Sequence, residues 1–369
     1  MISYYSGVLF DWRTFLNMNV FFPITGMFLD PILIFCTGLL GGFVSGFLGL
    51  GCGVIITPVL MELGIPPMIA VSTQLCHAVG TNLTNFLTYK RKMDVDFHLA
   101  TYLLLGGMFG ALFEWLILKN SANSKFAFNK FVYVYIFILI IFGIIMLFQS
   151  FRAWKHGDTK KYKKSVSMRR WMLYLPFHRI FVRSRAEMSI LIPIFVGFLA
   201  GLLVSSLGGG NNLFMAPIIT YLIGRISPVV YGTSALVGCV ITAIIALVYS
   251  ASEYCCDIMF VMLLFVGASI GSWIGVKLTY KIARYCIYAL GSVVVFLMAM
   301  RQIYNLVHHS FANSYNFKID LSQSILGRVV EENYITYTFI CIALVIIMAF
   351  FSEKFMQKWY EKRKEGKKL

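Results

Sequence analysis

The fold is decided by a stretch that occurs twice, as GFVSGFLGLGCGVIITP at 42–58 and as GLLVSSLGGGNNLFMAP at 201–217. Both copies begin with glycine, pass through a run rich in glycine and end in proline. Downstream the match continues at a shift of 161 residues, where VSTQL at 71–75 lies over GTSAL at 232–236. A register sustained over about forty residues is typical of an internal duplication, so the sequence predicts two homologous halves.

The composition places these halves in a membrane. The chain is 59% hydrophobic and only 13% charged, whereas a soluble domain is about a quarter charged. Nine stretches contain no Asp, Glu, Lys or Arg, and most approach the ~20 residues that a helix needs to cross a bilayer. They are 31–61, 63–89, 97–113, 131–151, 188–224, 226–252, 258–276, 285–300 and 333–352. The sequence therefore predicts an all-α, polytopic helical membrane protein.

The predicted organisation has seven segments. They are an N-terminal interfacial segment (1–30), a first membrane repeat (31–150), a basic cytoplasmic linker (151–187), a second membrane repeat (188–306), an extramembrane loop (307–332), one extra transmembrane helix (333–352) and a basic cytoplasmic tail (353–369).

The first apolar stretch of each half is too long for a single crossing, and glycines interrupt it. Each is either a discontinuous helix that crosses or a re-entrant hairpin that turns back. With the linker in the cytoplasm, hairpins place 25 of the 32 Lys and Arg residues inside, whereas crossing helices place 18 there. The positive-inside rule favours hairpins. Seven full spans and two halves of opposite orientation follow, an arrangement that recurs in transporters of the inner or plasma membrane.

The formal net charge of +16 is concentrated in the linker and the tail. Basic segments beside apolar spans favour anionic lipid headgroups, so we expect no nucleic-acid partner. The eight cysteines show no metal-ligand spacing and no disulfide framework. Neither a catalytic set nor a cofactor motif is evident, and the sequence predicts no enzyme, no metal site and no cofactor. It leaves the oligomeric state open.

Because the apolar stretches carry no charge, the predicted site is built from backbone. A re-entrant hairpin directs a helix N-terminus, with unpaired N–H groups and about half a positive charge, into the membrane. Such termini bind anions in transporters. Glycine that only permits close helix packing is the alternative. The predicted tips consist of Gly49, Gly51, Cys52 and Gly53 in one half, and Gly208, Gly209, Gly210, Asn211 and Asn212 in the other.

The helix after each hairpin supplies the remaining candidates. Hydroxyl and amide groups stand at matched positions, and they could complete the shell of an anion or satisfy their own helix carbonyls instead. These candidates are Ser72, Thr73 and Gln74 in the first half, and Thr233 and Ser234 in the second. His77 lies three residues after Gln74. It is either a proton carrier or substrate ligand, or a neutral histidine bonded within the bundle.

The two glycine motifs, together with AVSTQ at 70–74, GTSAL at 232–236 and MDVDF at 93–97, resemble the sulfite exporter TauE/SafE family of membrane permeases. The resemblance covers about 32–305. It implies transport of small sulfur-containing anions such as sulfite or sulfonates, coupled to a proton gradient. Cys52 departs from the glycine expected in the first tip. Two competing hypotheses remain: a metal or other cation transporter that uses Cys and Met, and a non-transporting assembly factor whose basic linker binds a partner.

Overall fold

The computed structural model describes residues 20–22, 25, 27–48, 51–65, 67–91, 95–121, 125–155, 176–181, 186–208, 215, 228–251, 256–279, 284–307 and 334–365. The elements of this part of the chain are β1 (Val20–Phe22), β2 (Met27–Leu29), α1 (Pro31–Leu48), α2 (Gly53–Glu62), α3 (Pro67–Arg91), α4 (Phe97–Ser121), α5 (Lys125–Lys155), β3 (His178–Phe181), β4 (Ala186–Ser189), α6 (Leu191–Leu207), α7 (Pro228–Ser250), α8 (Ile258–Thr279), α9 (Arg284–Val307) and α10 (Tyr334–Glu365).

The long helices make this a polytopic helical membrane protein. Four described helices contain a stretch long and apolar enough to span a bilayer: Phe97–Ile117, Gly232–Ser250, Ile258–Gly275 and Tyr334–Phe355. Large apolar side chains point outward from the bundle, including Phe109 at 69% exposure and Phe351 at 75%. Such surfaces are stable against lipid rather than water. The other predicted spans correspond to α3, α5 and α9, and they stay predictions.

Two short antiparallel β-hairpins correct the prediction of an all-α fold, although the described chain is mainly helical. Strands β1 and β2 pair with each other, as do β3 and β4. Phe22 of β1 is fully buried, with its ring centroid 4.2 Å from that of Phe260. Phe181 of β3 is buried and meets Tyr102 edge-on at 6.1 Å. The strands VFF, MFL, HRIF and AEMS have only three or four residues each. Segments this short are not detected by a search for long charge-free stretches.

Two of the long helices begin at a proline. Helices α3 and α7 begin at Pro67 and Pro228, because proline lacks an N–H group that the first helical position would leave unpaired. Two helices continue past the boundaries of the predicted segments. Helix α5 continues past residue 150, and α10 continues past residue 352 to Glu365. Lys, Arg and Glu are good helix formers, so a helix leaves the apolar region without ending.

Helices from the two predicted halves interleave. Helix α1 packs along α8, α6 packs along α4, and α3 packs against α7 at the centre. In the seam between α1 and α8, a Cβ at Gly42 would overlap the backbone of Ala268. A Cβ at Gly271 would lie 2.7 Å from the backbone nitrogen of Phe43. The backbones therefore touch directly along this seam, as glycine at membrane helix interfaces permits.

The seam between α4 and α6 has the same construction. A Cβ at Gly110 would overlap the backbone carbonyl of Phe198, and a Cβ at Gly201 would overlap that of Gly107. Gly201 follows Gly42 by 159 residues, and Gly110 precedes Gly271 by 161 residues. The residues that form the two seams therefore occupy corresponding positions in the two predicted halves.

Helices α1 and α2 pack against each other. Gly51 has φ of +84°, a conformation that side chains with a Cβ rarely adopt. A Cβ at Gly41 in α1 would lie 2.7 Å from Cγ1 of Ile56 in α2 and 3.8 Å from Cβ of Cys52. Helix α2 therefore lies beside α1 rather than continuing its axis.

Candidate functional site

The first predicted tip lies at the start of α2. Cys52 is the residue before the helix, is 2% exposed, and its carbonyl accepts the N–H groups of Ile55 and Ile56 at 3.1 and 3.0 Å. Gly51 precedes it in the left-handed conformation, and Gly53 opens the helix. This turn places the Cys52 side chain against α3.

Three polar side chains on one face of α3 surround the Cys52 thiol. Gln74, His77 and Thr81 are spaced three and four residues apart, so they share a stripe of the helix. The Gln74 Nε2 amide donates to Cys52 Sγ at 3.3 Å. His77 Nδ1 lies 3.5 Å from the same sulfur, and Thr81 Oγ1 lies 3.7 Å from it. The thiol is therefore the centre of a polar network inside an apolar bundle.

The second predicted tip begins at Gly208, the residue that directly follows α6. Its φ of 70° and ψ of 36° are left-handed, and its N–H donates to the Val204 carbonyl at 3.1 Å. A Cβ here would lie 2.9 Å from Cγ of Gln74 and 3.0 Å from Oγ1 of Thr57. Gln74 therefore touches both tips: Cys52 of the first half and Gly208 of the second.

Thr73 and Thr233 hold the two halves together instead of lining this network. The backbone N–H of Asp257 donates to Thr73 Oγ1 at 3.4 Å, and the N–H of Asp96 donates to Thr233 Oγ1 at 3.0 Å. The Thr233 hydroxyl in turn donates to the Val229 carbonyl at 2.6 Å. Both hydroxyls are buried and already engaged.

The two serine candidates are also buried. Ser72 lies about 160° around α3 from Gln74, since each residue turns the helix by about 100°. It therefore points away from the thiol network. Five further predicted site residues lie outside the described part of the chain: Gly49, Gly209, Gly210, Asn211 and Asn212. Of the predicted residues, the structure gathers Cys52, Gln74, His77 and Gly208 at one place.

Two members of the site were missed by the sequence analysis. Thr81 continues the stripe of Gln74 and His77 at a spacing of four residues, a signal that was present in the sequence. Thr57 lies in α2 and approaches Gly208 of the other half. No local pattern identifies Thr57, because its place depends on how two distant segments pack.

Two buried polar atoms of the network have no hydrogen-bond partner among the described residues. They are Gln74 Oε1 and His77 Nε2, and both side chains are fully buried. The His77 ring meets Phe265 edge-on, with centroids 6.3 Å apart. Leaving a buried polar atom unpaired is costly, so the two atoms mark a place where a polar ligand would be stabilised. Within the described chain, no three of His, Cys, Asp and Glu come together in a group that could hold a metal ion.

Interleaved apolar helices around a buried polar site are typical of membrane transporters, and comparison with known proteins identifies this class. The chain belongs to the sulfite exporter TauE/SafE family, whose sequence model matches residues 34–301. The resemblance noted in the two glycine motifs is thereby confirmed.

Similar proteins carry transporter names. The chain is 28% identical over 253 residues to Probable membrane transporter protein YjnA of Bacillus subtilis (strain 168), covering 67% of this chain and 90% of that protein. It is 26% identical over 199 residues to Probable membrane transporter protein YunE of the same organism, covering 52% and 68%. A probable membrane transporter protein of Haemophilus influenzae is 24% identical over 280 residues, covering 74% and 94%. No solved structure matches the chain.

Proposed function

We propose that this protein is a secondary transporter for small oxyanions of sulfur, such as sulfite or sulfonates, coupled to protons. The observation that carries the proposal is the meeting of Cys52 and Gly208 at Gln74, with two buried polar atoms left unpaired beside them. The family description, sulfite exporter TauE/SafE, supports the class of cargo.

The N-terminus of α2 supplies the attraction for an anion. The helix begins at Gly53, directly after Cys52, and has 10 residues. Its first N–H groups have no carbonyl partner within the helix, and its dipole places about half a positive charge at this end. Neutral backbone N–H groups hold an anion less tightly than a buried cation would, and this suits a cargo that must be released.

The interleaved helices support two inverted repeats with alternating access. Each long seam joins one helix from each half, so one half cannot move without changing its contacts to the other. The packing of α2 beside α1 supports a re-entrant hairpin rather than a crossing helix. Movement of one repeat against the other would open the site to each side in turn.

The proposed setting is the inner or plasma membrane, with the basic linker 151–187 and the C-terminal tail in the cytoplasm. The bilayer is then the main partner, and its anionic headgroups would contact the Lys and Arg side chains of these segments.

The test is counterflow of labelled sulfite into proteoliposomes that contain the purified full-length protein. Saturable exchange that unlabelled sulfite or a sulfonate blocks, and that chloride does not block, is the expected result. Absence of exchange with every sulfur oxyanion, from protein that elutes as a single folded species, would overturn the proposal. Exchange of a metal cation instead would favour the alternative cargo.

The matched variants are Gly51→Val and Gly143→Ala. Gly51 needs its positive φ at the tip, whereas a Cβ at Gly143 would meet only the ring of Phe296. We expect Gly51→Val to abolish exchange with normal membrane insertion and Gly143→Ala to retain it. Unimpaired exchange by Gly51→Val would contradict a site at the tip.

A further inference from the structure

The positions of the hydrogens around the Cys52 thiol determine whether the two unpaired atoms, Gln74 Oε1 and His77 Nε2, are hydrogen-bond donors or acceptors. Thr81 Oγ1 donates its hydrogen to the Ala78 carbonyl at 3.2 Å, so it can only accept from Cys52 at 3.7 Å. The thiol has one hydrogen and is a weak donor and weak acceptor. If that hydrogen goes to Thr81, the other two contacts of Sγ must be donated by its neighbours.

Those neighbours can supply the hydrogens. The Gln74 Nε2 amide donates to Sγ at 3.3 Å. His77 Nδ1 lies 3.5 Å from Sγ, and in the tautomer with its hydrogen on Nδ1 it donates that hydrogen to the sulfur. This arrangement alone provides a hydrogen for each contact of the thiol while Thr81 keeps its bond to Ala78.

The consequence falls on the two unpaired atoms. A neutral imidazole with its hydrogen on Nδ1 has a bare lone pair on Nε2. An amide whose nitrogen is turned toward Cys52 presents its Oε1 oxygen, an acceptor, in the other direction. His77 Nε2 and Gln74 Oε1 are both buried and have no partner among the described residues. The thiol network therefore leaves two acceptors, and two acceptors require a ligand that donates.

We propose that the cargo is an anion that carries its own hydrogen-bond donor: hydrogensulfite, or a sulfonate with a hydroxyl or amino group. The anionic oxygens would lie toward the N-terminus of α2, and the O–H or N–H group would lie toward His77 Nε2 and Gln74 Oε1. Cys52 is then a positioning residue, because it orients both acceptors without touching the cargo itself. This inference rests on the proposed function and narrows its substrate class.

The second half of the molecule does not repeat this arrangement. The positions that correspond to Gln74 and His77 are Ala235 and Gly238, neither of which has a polar side-chain atom. Among the described residues, the unpaired acceptors of this network come from the first half, so that the site distinguishes the two ends of an asymmetric ligand.

The experiment compares two ligands that differ in one donor. The full-length protein in detergent is titrated with 2-hydroxyethanesulfonate and with propane-1-sulfonate, which have the same number of heavy atoms, and thermal stabilisation is measured. We expect the hydroxylated ligand to bind at least tenfold more tightly. Equal binding, tighter binding of propane-1-sulfonate or no binding of either would overturn the inference. Equal binding together with sulfite counterflow would overturn it and leave the proposed function standing.

Variants show whether the thiol network sets the preference. Cys52→Ser retains one hydrogen and two lone pairs, so it should keep the tenfold preference. Cys52→Ala removes the acceptor of Gln74 Nε2, and Gln74→Met removes the amide; each should reduce the preference to about twofold or less. Thr242→Val, on α7 of the other half, is the control and should keep the wild-type ratio. A preference unchanged in both Cys52→Ala and Gln74→Met would overturn the assignment.

Discussion

The backbone N–H of Asp96 donates to the hydroxyl of Thr233 across 137 positions of sequence, and the N–H of Asp257 donates to Thr73 across 184. Each aspartate also accepts an N–H group at the start of the helix that follows it, from Leu99 and from Met259. The central helices α3 and α7 thereby each bond to the residue that precedes a helix of the other half, α8 and α4 respectively. These paired bonds connect the two predicted halves.

Loss of either hydroxyl should therefore weaken the fold. Thr233→Val leaves the buried N–H of Asp96 without its partner, which costs about 1–3 kcal/mol. We expect the midpoint of thermal unfolding in detergent to fall, with Thr233→Ser restoring most of it because serine retains the acceptor. An unchanged midpoint in Thr233→Val would show that water or another group replaces the hydroxyl.

The contact of Gly208 with Gln74 should be sensitive to one added methyl group. Gly208→Ala combines a left-handed φ of 70° with a Cβ only 2.9 Å from Gln74 Cγ, and the backbone strain alone costs about 1–2 kcal/mol. We expect sulfite counterflow to fall at least tenfold.

Gly64→Ala is the matched control for this strain. Gly64 has φ of 89° but lies at the opposite end of α2 from Cys52. It should lose stability in the same way and keep most of the counterflow. Equal loss of transport in both variants would assign the effect to backbone strain rather than to the site.

Two further alanine substitutions distinguish a glycine that contacts the backbone of another helix from a glycine that contacts a side chain. At Gly42 the added methyl would overlap the backbone of Ala268, which cannot move without displacing all of α8. At Gly143 it would meet only the Phe296 ring, at 2.8 Å, and a ring can rotate. Fluorescence size-exclusion chromatography should show loss of folded protein for Gly42→Ala and a normal peak for Gly143→Ala. The reverse order would mean that the seam is looser than its backbone contacts indicate.

Thr81 and Thr242 occupy corresponding positions and make different contacts. Thr242 Oγ1 donates to the Gly238 carbonyl at 2.7 Å within its own helix, whereas Thr81 also contacts Cys52. We expect Thr81→Val to raise the KM for labelled sulfite severalfold, because the thiol hydrogen loses its acceptor and the orientation of His77 is no longer fixed. Thr242→Val should leave the KM within twofold. The measurement is initial counterflow rate against sulfite concentration, and matching KM values would exclude a special role for Thr81.

Local sequence explains the features that depend on a few neighbouring residues. The glycine interruption before α2 and the starts of α3 and α7 at Pro67 and Pro228 follow from backbone preferences of single residues. The assignment of Thr73 and Thr233 to the anion shell has no support in the hydrogen bonds that they make. Their partners lie in the other half. The register between distant helices cannot be predicted from a local sequence pattern. For the same reason, the contact between Gly208 and Gln74 cannot be predicted from local sequence.

The pairing of α1 with α8 also constrains how the protein is made. Gly42 and the Ala268 backbone that it touches are separated by 226 positions, which at about 5–20 residues per second takes a ribosome on the order of 10–45 s to synthesise. During that interval α1 is in the bilayer without its final neighbour, and its glycine face meets lipid or the insertion machinery. The N-terminal half therefore cannot complete its packing when it leaves the ribosome. Its packing is completed only after the second predicted half has been synthesised.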